Sequence, residues 1–307
     1  MIPNRYILFS DEVKEALRLN RPVVALESTI FCHGLPHPQN IQTALLLEET
    51  VRKEGAVPAH IAIIHGKIHV GLSPGEITFL AESSEVIKVS RNDLPILLSK
   101  ELHGATTVAT TMFIASLCGI KFFATGGIGG VHRGAESSFD VSADLQQMAI
   151  TDVVVVSAGA KAILDLPKTL EYLETHGVPV VGYKTEEFPA FYASTSGLKL
   201  NLVMHNTNEI AAFANAKWAV GLHGAVLVAN PVPSDFAMNR EVMEELIDRA
   251  IAEAERAAAS GKHLTPFLLK YMNAHSGGKS IETNIALAHN NARIASQIAI
   301  AYQSIAP

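Results

Sequence analysis

Short apolar runs alternate along the chain with longer segments whose apolar residues recur every three or four positions. The short runs are rich in β-branched residues, and several are apolar at every position, which is typical of central strands covered on both faces. They predict strands at residues 22–26, 61–64, 68–70, 86–89, 121–124, 153–157, 178–182 and 225–229. Such an alternation of strands and helical segments indicates an α/β fold.

Segments of helical period separate these runs. They predict helices at residues 41–54, 106–117, 142–149, 162–175 and 208–218, and then a closing helical stretch. Apolar residues from Val242 to Ala254 mark one face of that stretch, with Asn239 as its N-cap and Gly261 as its C′ stop.

The interval His65-Gly66-Lys67 is short enough for a hairpin, so the sheet is predicted to be mixed. No internal repeat, low-complexity tract or linker divides the chain, and we expect a single domain over residues 1–307. The expected architecture is three-layer α/β/α, with helices on both faces of a central mixed, largely parallel sheet.

Composition narrows the class of protein. Hydrophobic residues make up 48% and charged residues 18% of the chain, which suits a buried globular core. A net charge of -6 argues against sequence-independent binding of a nucleic acid polymer, so any nucleotide chemistry is expected to concern a small free nucleotide. Two cysteines, the lack of a secretory signal and apolar runs shorter than about 20 residues predict a cytoplasmic protein with no membrane span.

The segment ATGGIGGVHRGAESSFDVSADL (124–145) is rich in glycine directly after a predicted strand. Glycines at such a place let backbone amides approach an anion. The spacing fits neither GxGxxG nor a Walker A loop, so tight turns are an equal alternative. His132 and Arg133 favour the handling of an anion.

Asp140 and Asp144 flank Ser142 in the same segment. Two carboxylates four residues apart can share a hard divalent cation through water, or one of them can cap a helix. We expect Ser142 to be the N-cap, with Asp144 in the first turn. Capping then leaves the presence of Asp140 unexplained.

Lys161 follows the apolar run DVVVVSAGA and precedes a segment of helical period. Ligands bind at the carboxyl ends of strands in open α/β sheets, which is where this lysine is predicted to lie. A helix N-terminus and apolar surroundings both disfavour an ammonium group, and a neutral amine can attack a carbonyl-like carbon. The alternative is an ordinary lysine whose amino group extends to solvent.

Glu27 and Lys88 each lie at a predicted strand. Glu27 is either a satisfied core partner or a proton donor with a raised pKa, and the turn-rich segment around His33 would form one wall of its cleft. Lys88 either faces a phosphate or is a solvated lysine on an edge strand.

Three asparagines, Asn284, Asn290 and Asn291, follow a helical pattern late in the chain. A buried carboxamide offers a donor and an acceptor that suit a pyrimidine edge, although most asparagines on helices are exposed.

Ten segments follow one another in chain order from about residue 20 to the end. They are VALESTIFCHGLPHPQN, GAVPAHIAIIHGKIHVGLS, KVSRNDLP, GATTVATTM, FATGGIGGVHRGAESSFDVSADL, SAGAKAILDLPKTLEYLETHGVPVVGY, EFPAFY, VANPVP, GKHLTPFLL and SGGKSIETNIALAHNNA. Together they closely resemble the pseudouridine-5′-phosphate glycosidase family, also called indigoidine synthase A-like, so the resemblance rests on length and order as well as on individual motifs.

The resemblance implies reversible cleavage of pseudouridine 5′-phosphate into uracil and ribose 5-phosphate by an α/β/α homotrimer. It implies Lys161 as the nucleophile, Glu27 as the proton donor, and Asp140 as the ligand of a divalent metal, usually manganese (Mn²⁺), whose other positions hold water. The implied substrate contacts are Lys88, the backbone of Val108, His132, Ser142, Ala143, Asp144 and Asn284, the last facing the base.

These residue types suit the chemistry of a carbon–carbon glycosidic bond. An amine that adds to the anomeric carbon opens the sugar ring and gives an imine-type adduct, while a carboxylic acid supplies the proton that the uracil carbon needs. The glycine-rich segment and Lys88 would hold the phosphate. One alternative is a C-glycosynthase that joins ribose 5-phosphate to another aromatic aglycone, against which Asn284 argues. Another is a catalytically silent ligand-binding protein, against which the presence of every candidate catalytic residue argues.

Overall fold

The computed structural model describes residues 5–257 and 264–305, in which strands and helices alternate. The strands are β1 (Ile7–Phe9), β2 (Val23–Glu27), β3 (Val57–Ile64), β4 (Lys67–Val70), β5 (Ile87–Val89), β6 (Gly104–Thr106), β7 (Phe122–Ala124), β8 (Val131–His132), β9 (Val154–Ser157), β10 (Leu164–Asp165), β11 (Val180–Tyr183), β12 (Leu202–Met204) and β13 (Val226–Ala229). The helices are α1 (Asp11–Arg18), α2 (Gln39–Lys53), α3 (Pro74–Glu82), α4 (Leu94–Ser99), α5 (Val108–Leu117), α6 (Ala135–Ser138), α7 (Ala143–Ile150), α8 (Leu166–Thr175), α9 (Thr207–Ala219), α10 (Arg240–Arg256), α11 (Leu264–His275) and α12 (Lys279–Gln303). A π-helical turn (Ile30–Gly34) follows β2, and a 3₁₀ turn covers Ser234–Phe236.

Eleven strands form one sheet in the order β1-β4-β3-β2-β7-β9-β13-β11-β12, with β6 paired to β3 and β5 to β6. The pairings of β3 with β4 and with β6 are antiparallel, and the other pairings of this sheet are parallel. Strands β8 and β10 form a separate antiparallel pair. The prediction of a central mixed, largely parallel sheet is confirmed.

Helices cover both faces of the sheet. Helix α12 packs on β2, β7 and β9 with α2 and α9 beside it, and α5 packs on the opposite face with α7 beside it. Every residue of β2, β3, β9 and β13 is buried, as the apolar runs of the central strands predicted. The three-layer architecture follows from this burial, since a strand that is apolar on both faces needs a helical layer on each.

The predicted hairpin joins β3 to β4. Ile64 pairs with Lys67, and His65 (φ 46°) and Gly66 (φ 64°) are both in the left-handed region that closes a two-residue hairpin. A Cβ on Gly66 would lie 2.7 Å from Glu101 Cα, so space also requires glycine there.

The predicted helix at residues 162–175 begins later than expected, at Leu166. The Asp165 carboxylate accepts a hydrogen bond from the Lys168 amide (3.0 Å) and so caps α8 at this point. The cap residue and its neighbour Leu164 form β10, which pairs with β8. The prediction that a helix N-terminus directly follows Lys161 is therefore wrong.

Two predicted N-caps are confirmed. Ser142 Oγ accepts a hydrogen bond from the Asp144 amide (3.3 Å), and Asn239 Oδ1 accepts one from the Val242 amide (3.0 Å). Gly261, the predicted stop of the closing helix, lies outside the described residues. None of the helices within 5–257 and 264–305 has the length and apolar character needed to cross a bilayer.

Candidate active site

Three adjacent parallel strands, β2, β7 and β9, end at the same edge of the sheet. Glu27 is the last residue of β2, the glycine-rich loop (residues 125–130) follows β7, and Lys161 follows β9. The prediction that Lys161 lies at the carboxyl end of a central strand is confirmed. Ligands of open α/β sheets bind beyond such ends.

A cavity of about 260 Å³ lies at this edge. All the residues predicted to be catalytic, substrate-binding or metal-binding line it, although they come from distant parts of the chain. They are Glu27, Lys88, Val108, His132, Asp140, Ser142, Ala143, Asp144, Lys161 and Asn284. Their common location is observed, and their individual roles stay predictions.

Glu27 contributes a buried carboxyl group, with 6% of the residue exposed. Its Oε1 accepts a hydrogen bond from the Thr125 hydroxyl. Burial raises the pKa of Glu27, and the positive charge of Lys161 and the Thr125 hydrogen bond oppose this rise without cancelling it. A raised pKa lets the group keep its proton at a higher pH than an ordinary glutamate, as a general acid must.

Lys161 is held by its backbone between two loops. Its amide donates to the Ile128 carbonyl (3.0 Å) in the glycine-rich loop, and its carbonyl accepts from the Leu164 amide (3.0 Å). The charge of Lys161 lowers the pKa of both Glu27 and Lys88, which places these three groups in one electrostatic neighbourhood. Lys161 is partly buried and lines the cavity.

Lys88 lies on β5, which pairs with β6 at the edge of the described sheet. It is half-buried and lines the cavity, so the alternative of a solvated edge lysine is wrong. Burial, and then the nearby charge of Lys161, lowers the pKa of Lys88, while Asp144 and Glu27 oppose that change. A desolvated ammonium group attracts an anion more strongly than a solvated one.

Two helix N-termini reach the same cavity. Val108 is the first residue of α5 and Ala143 is the first residue of α7, behind the caps Thr107 and Ser142. The amide of a first helical residue has no carbonyl one turn back to bond, and the helix dipole favours negative charge there. Together with Lys88, these amides suit a phosphate group.

Asp144 links the N-terminus of α5 to the glycine-rich loop. Its Oδ1 accepts from the Ala109 amide (2.8 Å) and its Oδ2 accepts from the Gly129 amide (2.7 Å). A Cβ on Gly129 would lie 2.2 Å from Ser142 Oγ, so close packing explains this glycine. The Ile128 amide is also used, by the Gly159 carbonyl. The loop therefore offers an anion fewer free amides than its glycine content predicted.

Arg133 does not contribute to the cavity. Its guanidinium group pairs with Glu244 (3.0 Å) and Asp248 (3.1 Å) on α10. The prediction that it helps to handle an anion is therefore wrong, whereas His132 does line the cavity.

Asp140 faces the cavity with a carboxylate that has no hydrogen-bond partner in the described part of the chain. Burial lowers the pKa of His132, and the negative charge of Asp140 opposes that change, so the two side chains are close. Among residues 5–257 and 264–305, no group of three or more His, Cys, Asp or Glu side chains surrounds a point where a metal would sit. One free carboxylate fits a divalent cation that keeps most of its water, and does not fit a dehydrated protein cage.

The three asparagines of α12 have different surroundings. Asn284 lines the cavity with no hydrogen-bond partner among the described residues. Asn290 donates to the Pro231 carbonyl (3.3 Å), and Asn291 donates to the Thr125 carbonyl (2.8 Å), both away from the cavity. Asn284 is thus the one of these three whose carboxamide is available to a ligand.

Sequence reasoning missed several residues that line the cavity, among them Phe191, Ser90 and Thr107, and gave His33 no specific role. Phe191 is buried, and a Cβ on Gly127 would lie 2.5 Å from its ring. Its ring therefore packs directly against the glycine-rich loop. The segment EFPAFY carried the family resemblance, but a lone aromatic residue gave no sign of this position.

The comparisons with known proteins agree with this geometry. Residues 12–301 match the family described as indigoidine synthase A like protein. The chain is 57% identical to a pseudouridine-5′-phosphate glycosidase of Caldanaerobacter subterraneus subsp. tengcongensis, over 97% of each chain. The chain belongs to the indigoidine synthase A-like family. Another relative is the pseudouridine-5′-phosphate glycosidase of Escherichia coli, which is 55% identical over 97% of this chain and 96% of its own.

Two solved structures are similar to this chain over almost its whole length. The prealnumycin C-glycosynthase AlnA, in complex with ribulose 5-phosphate, matches with a TM-score of 0.91 at 38% identity, over 99% of each chain. An indigoidine synthase A-like protein of Thermotoga maritima matches with a TM-score of 0.89 at 32% identity, again over 99% of each chain. The predicted α/β/α fold is thus the fold of this family.

Proposed function

We propose that this chain is a pseudouridine-5′-phosphate glycosidase, which cleaves its substrate with water to uracil and ribose 5-phosphate. The observation that carries the proposal is the cavity itself, where a buried carboxyl group with a raised pKa (Glu27) and an amine (Lys161) accompany a site suited to phosphate. Relatives that bear this name are 57% and 55% identical, whereas the C-glycosynthase AlnA is 38% identical. These identities favour the glycosidase over the glycosynthase.

The phosphate and the base would occupy opposite ends of the cavity. Lys88 and the amides of Val108 and Ala143 would bind the phosphate, and the carboxamide of Asn284 would bind the uracil edge. Binding energy from these two ends would hold the anomeric carbon between Lys161 and Glu27.

The reaction would then proceed in three steps. The Lys161 amine forms a bond to C1′ as the bond from C1′ to the ring oxygen breaks, and the proton that the lysine nitrogen loses passes to that oxygen. Glu27 next donates its proton to C5 of uracil, and the C1′–C5 electron pair restores the uracil double bond as the lysine nitrogen stabilises C1′ as an iminium ion. Water finally hydrolyses the iminium ion and frees the amine.

Asp140 would hold a hydrated manganese ion, for which its unpartnered carboxylate provides one ligand. When bound, such an ion supplies positive charge and ordered water near the sugar phosphate. We expect Asp140→Ala to remove the response of turnover to added manganese while leaving thermal unfolding unchanged. A variant with an unchanged manganese response contradicts the assignment.

The proposal is tested by mixing the protein with pseudouridine 5′-phosphate and a manganese salt and following uracil release. Borohydride should trap the sugar phosphate on Lys161 through the iminium ion, and mass spectrometry of the digest would locate it. Lys161→Ala should give no trapped adduct and lose turnover by at least about 10⁴-fold. The matched control is Lys121→Ala, because Lys121 contacts the Tyr302 hydroxyl (3.0 Å) away from the cavity. Absence of uracil release by the wild type rejects the proposed function.

We also propose, from the family resemblance, that the protein is a cytoplasmic homotrimer. Sedimentation equilibrium should then give about three times the chain mass of 32.9 kDa. A mass of one chain at micromolar concentration contradicts the trimer.

A further inference from the structure

Thr125 lies behind Glu27 and not in the cavity. Only 3% of Thr125 is exposed, and Thr125 does not line the cavity, although the next residue, Gly126, does. The Thr125 hydroxyl donates to Glu27 Oε1, and its amide donates to the Val156 carbonyl (3.1 Å). Thr125 therefore contacts the predicted proton donor without access to a ligand.

Two buried asparagines hold Thr125 from the other side. Asn291 Nδ2 donates to the Thr125 carbonyl (2.8 Å), and Asn291 Oδ1 accepts from Asn230 Nδ2 (2.8 Å). The backbone amide of Asn230 in turn donates to the Ser157 carbonyl (2.8 Å). Buried polar groups are costly unless they are bonded, and a bonded chain of them is rigid. The chain Asn230–Asn291–Thr125–Glu27 thus links the ends of β13, β7 and β2.

The Thr125 hydrogen bond makes the two Glu27 oxygens unequal. In a protonated carboxyl group the carbonyl oxygen is the better acceptor, so a hydroxyl that donates to Oε1 favours the acid proton on Oε2. No described residue bonds Oε2, while the Glu27 side chain lines the cavity. We propose that Thr125, anchored by Asn291, is a positioning residue that fixes the Glu27 carboxyl group so that Oε2 presents its proton to the substrate. This inference rests on the proposed function, in which that proton goes to C5 of uracil and is later replaced from water.

The sign of the pH effect follows from the groups that face Glu27. Lys161 and Lys88 favour its ionised form and Asp144 disfavours it, and the Thr125 hydrogen bond adds to the first effect. Removing that hydrogen bond raises the pKa of Glu27 further. Because a proton donor is active only below its pKa, the alkaline limb of the pH–rate profile moves to higher pH.

The test compares Thr125→Val, which keeps the side-chain shape without the hydroxyl, with Thr125→Ser, which keeps the hydroxyl. We expect Thr125→Val to lower kcat about 10-fold with KM within about twofold, and to move the alkaline limb of kcat upward by about one pH unit. Thr125→Ser should restore both values. The control is Thr50→Val on α2, which removes the hydroxyl of another buried threonine, one that donates to the Leu46 carbonyl (2.7 Å). Equal kcat and an unmoved limb in Thr125→Val overturn the inference.

A second measurement does not depend on turnover. Infrared titration detects the protonated carboxyl band of Glu27, which is identified by its loss in Glu27→Gln. We expect the midpoint to rise in Thr125→Val and not in Thr50→Val, and an unchanged midpoint overturns the inference. A raised midpoint in a protein whose wild type releases no uracil supports Thr125 as the positioning residue and rejects the proposed substrate.

Discussion

Glu27 and Glu48 are buried to nearly the same extent, with 6% and 4% exposed, but their surroundings differ. Glu27 accepts a hydrogen bond from a neutral hydroxyl, and burial raises its pKa. Glu48 on α2 meets His60 Nδ1 and Arg52 Nη1, each at 3.2 Å. Burial alone would raise the pKa of Glu48 as well, but the hydrogen bond and charge of His60 and the charge of Arg52 lower it instead. Partners, and not depth, decide whether a buried carboxyl group keeps its proton.

The difference separates a structural carboxylate from a candidate catalytic one. An ion pair offsets the desolvation of Glu48 with dedicated partners, so the group stays charged and stabilises the fold. At Glu27 the desolvation is only partly offset. The charge of Lys161 and the Thr125 hydrogen bond lower the pKa of Glu27 less than burial raises it. Perturbed groups of this kind are concentrated in functional sites.

The largest expected effect that sharpens this comparison is on turnover. Glu27→Gln keeps the shape of the side chain but has no proton to donate, so kcat should fall by about 10³-fold. Glu48→Gln should keep kcat within about twofold, measured at a temperature at which both variants are folded. Uracil release under saturating substrate checks both values. Similar losses in the two variants contradict the division into catalytic and structural carboxyl groups.

The next effect is on stability, and it should occur at Glu48. Glu48→Gln removes the charge that pairs with Arg52 and the carboxylate oxygen that contacts His60 Nδ1, and should reduce the free energy of unfolding at pH 7 by about 2 kcal/mol. Because the pKa of Glu48 is lowered from an ordinary 4.5, its contribution is present above that value and is lost as pH falls through the folded pKa. Urea unfolding of wild type and variant should therefore converge in acid. A constant difference down to pH 3 contradicts the ion-pair explanation.

The smallest effect has the opposite sign and should occur at Glu27. A raised pKa stabilises the fold below the ordinary value of 4.5, and this contribution is lost as pH rises through the folded pKa. Glu27→Gln removes the cost of ionising a buried carboxyl group, so at pH 8 it should be about 1 kcal/mol more stable than the wild type and at pH 4 about equal. Thermal unfolding at the two pH values checks this. A variant that is less stable at pH 8 refutes it.

The fold followed from the sequence wherever the pattern was long or the turn was distinctive. The apolar runs predicted the central strands, and two residues with left-handed backbone, His65 and Gly66, formed the expected hairpin. Strands β1, β6 and β12, with three residues each, were not predicted. The start of α8 was misplaced because the apolar run after Lys161 continues the helical pattern, while Asp165 delays the helix.

The site was predictable where a residue ends a strand, as Glu27 does, or closely follows one, as Lys161 does. The alternatives for Lys88 and Asn284 needed the three-dimensional structure, since an edge lysine and a helix asparagine have the same local sequence whether they face solvent or a cavity. Thr125 and Asn230 gave no signal because their role comes from partners far along the chain.

Helix α12 carries Asn284 and Asn291 seven residues apart, which is two turns along one face. The same helix therefore carries both the Asn284 carboxamide, which faces the cavity, and the Asn291 carboxamide, which donates to the Thr125 carbonyl. To admit a larger aglycone, the side chains at positions 284 and 191 can be exchanged, whereas helix α12 itself can move little. Sliding α12 by one residue, about 1.5 Å, would widen the cavity but would also break the hydrogen bond from Asn291 to the Thr125 carbonyl. Thr125 would then no longer be held against Glu27. New specificity in this scaffold is thus more accessible through side-chain exchange than through helix movement.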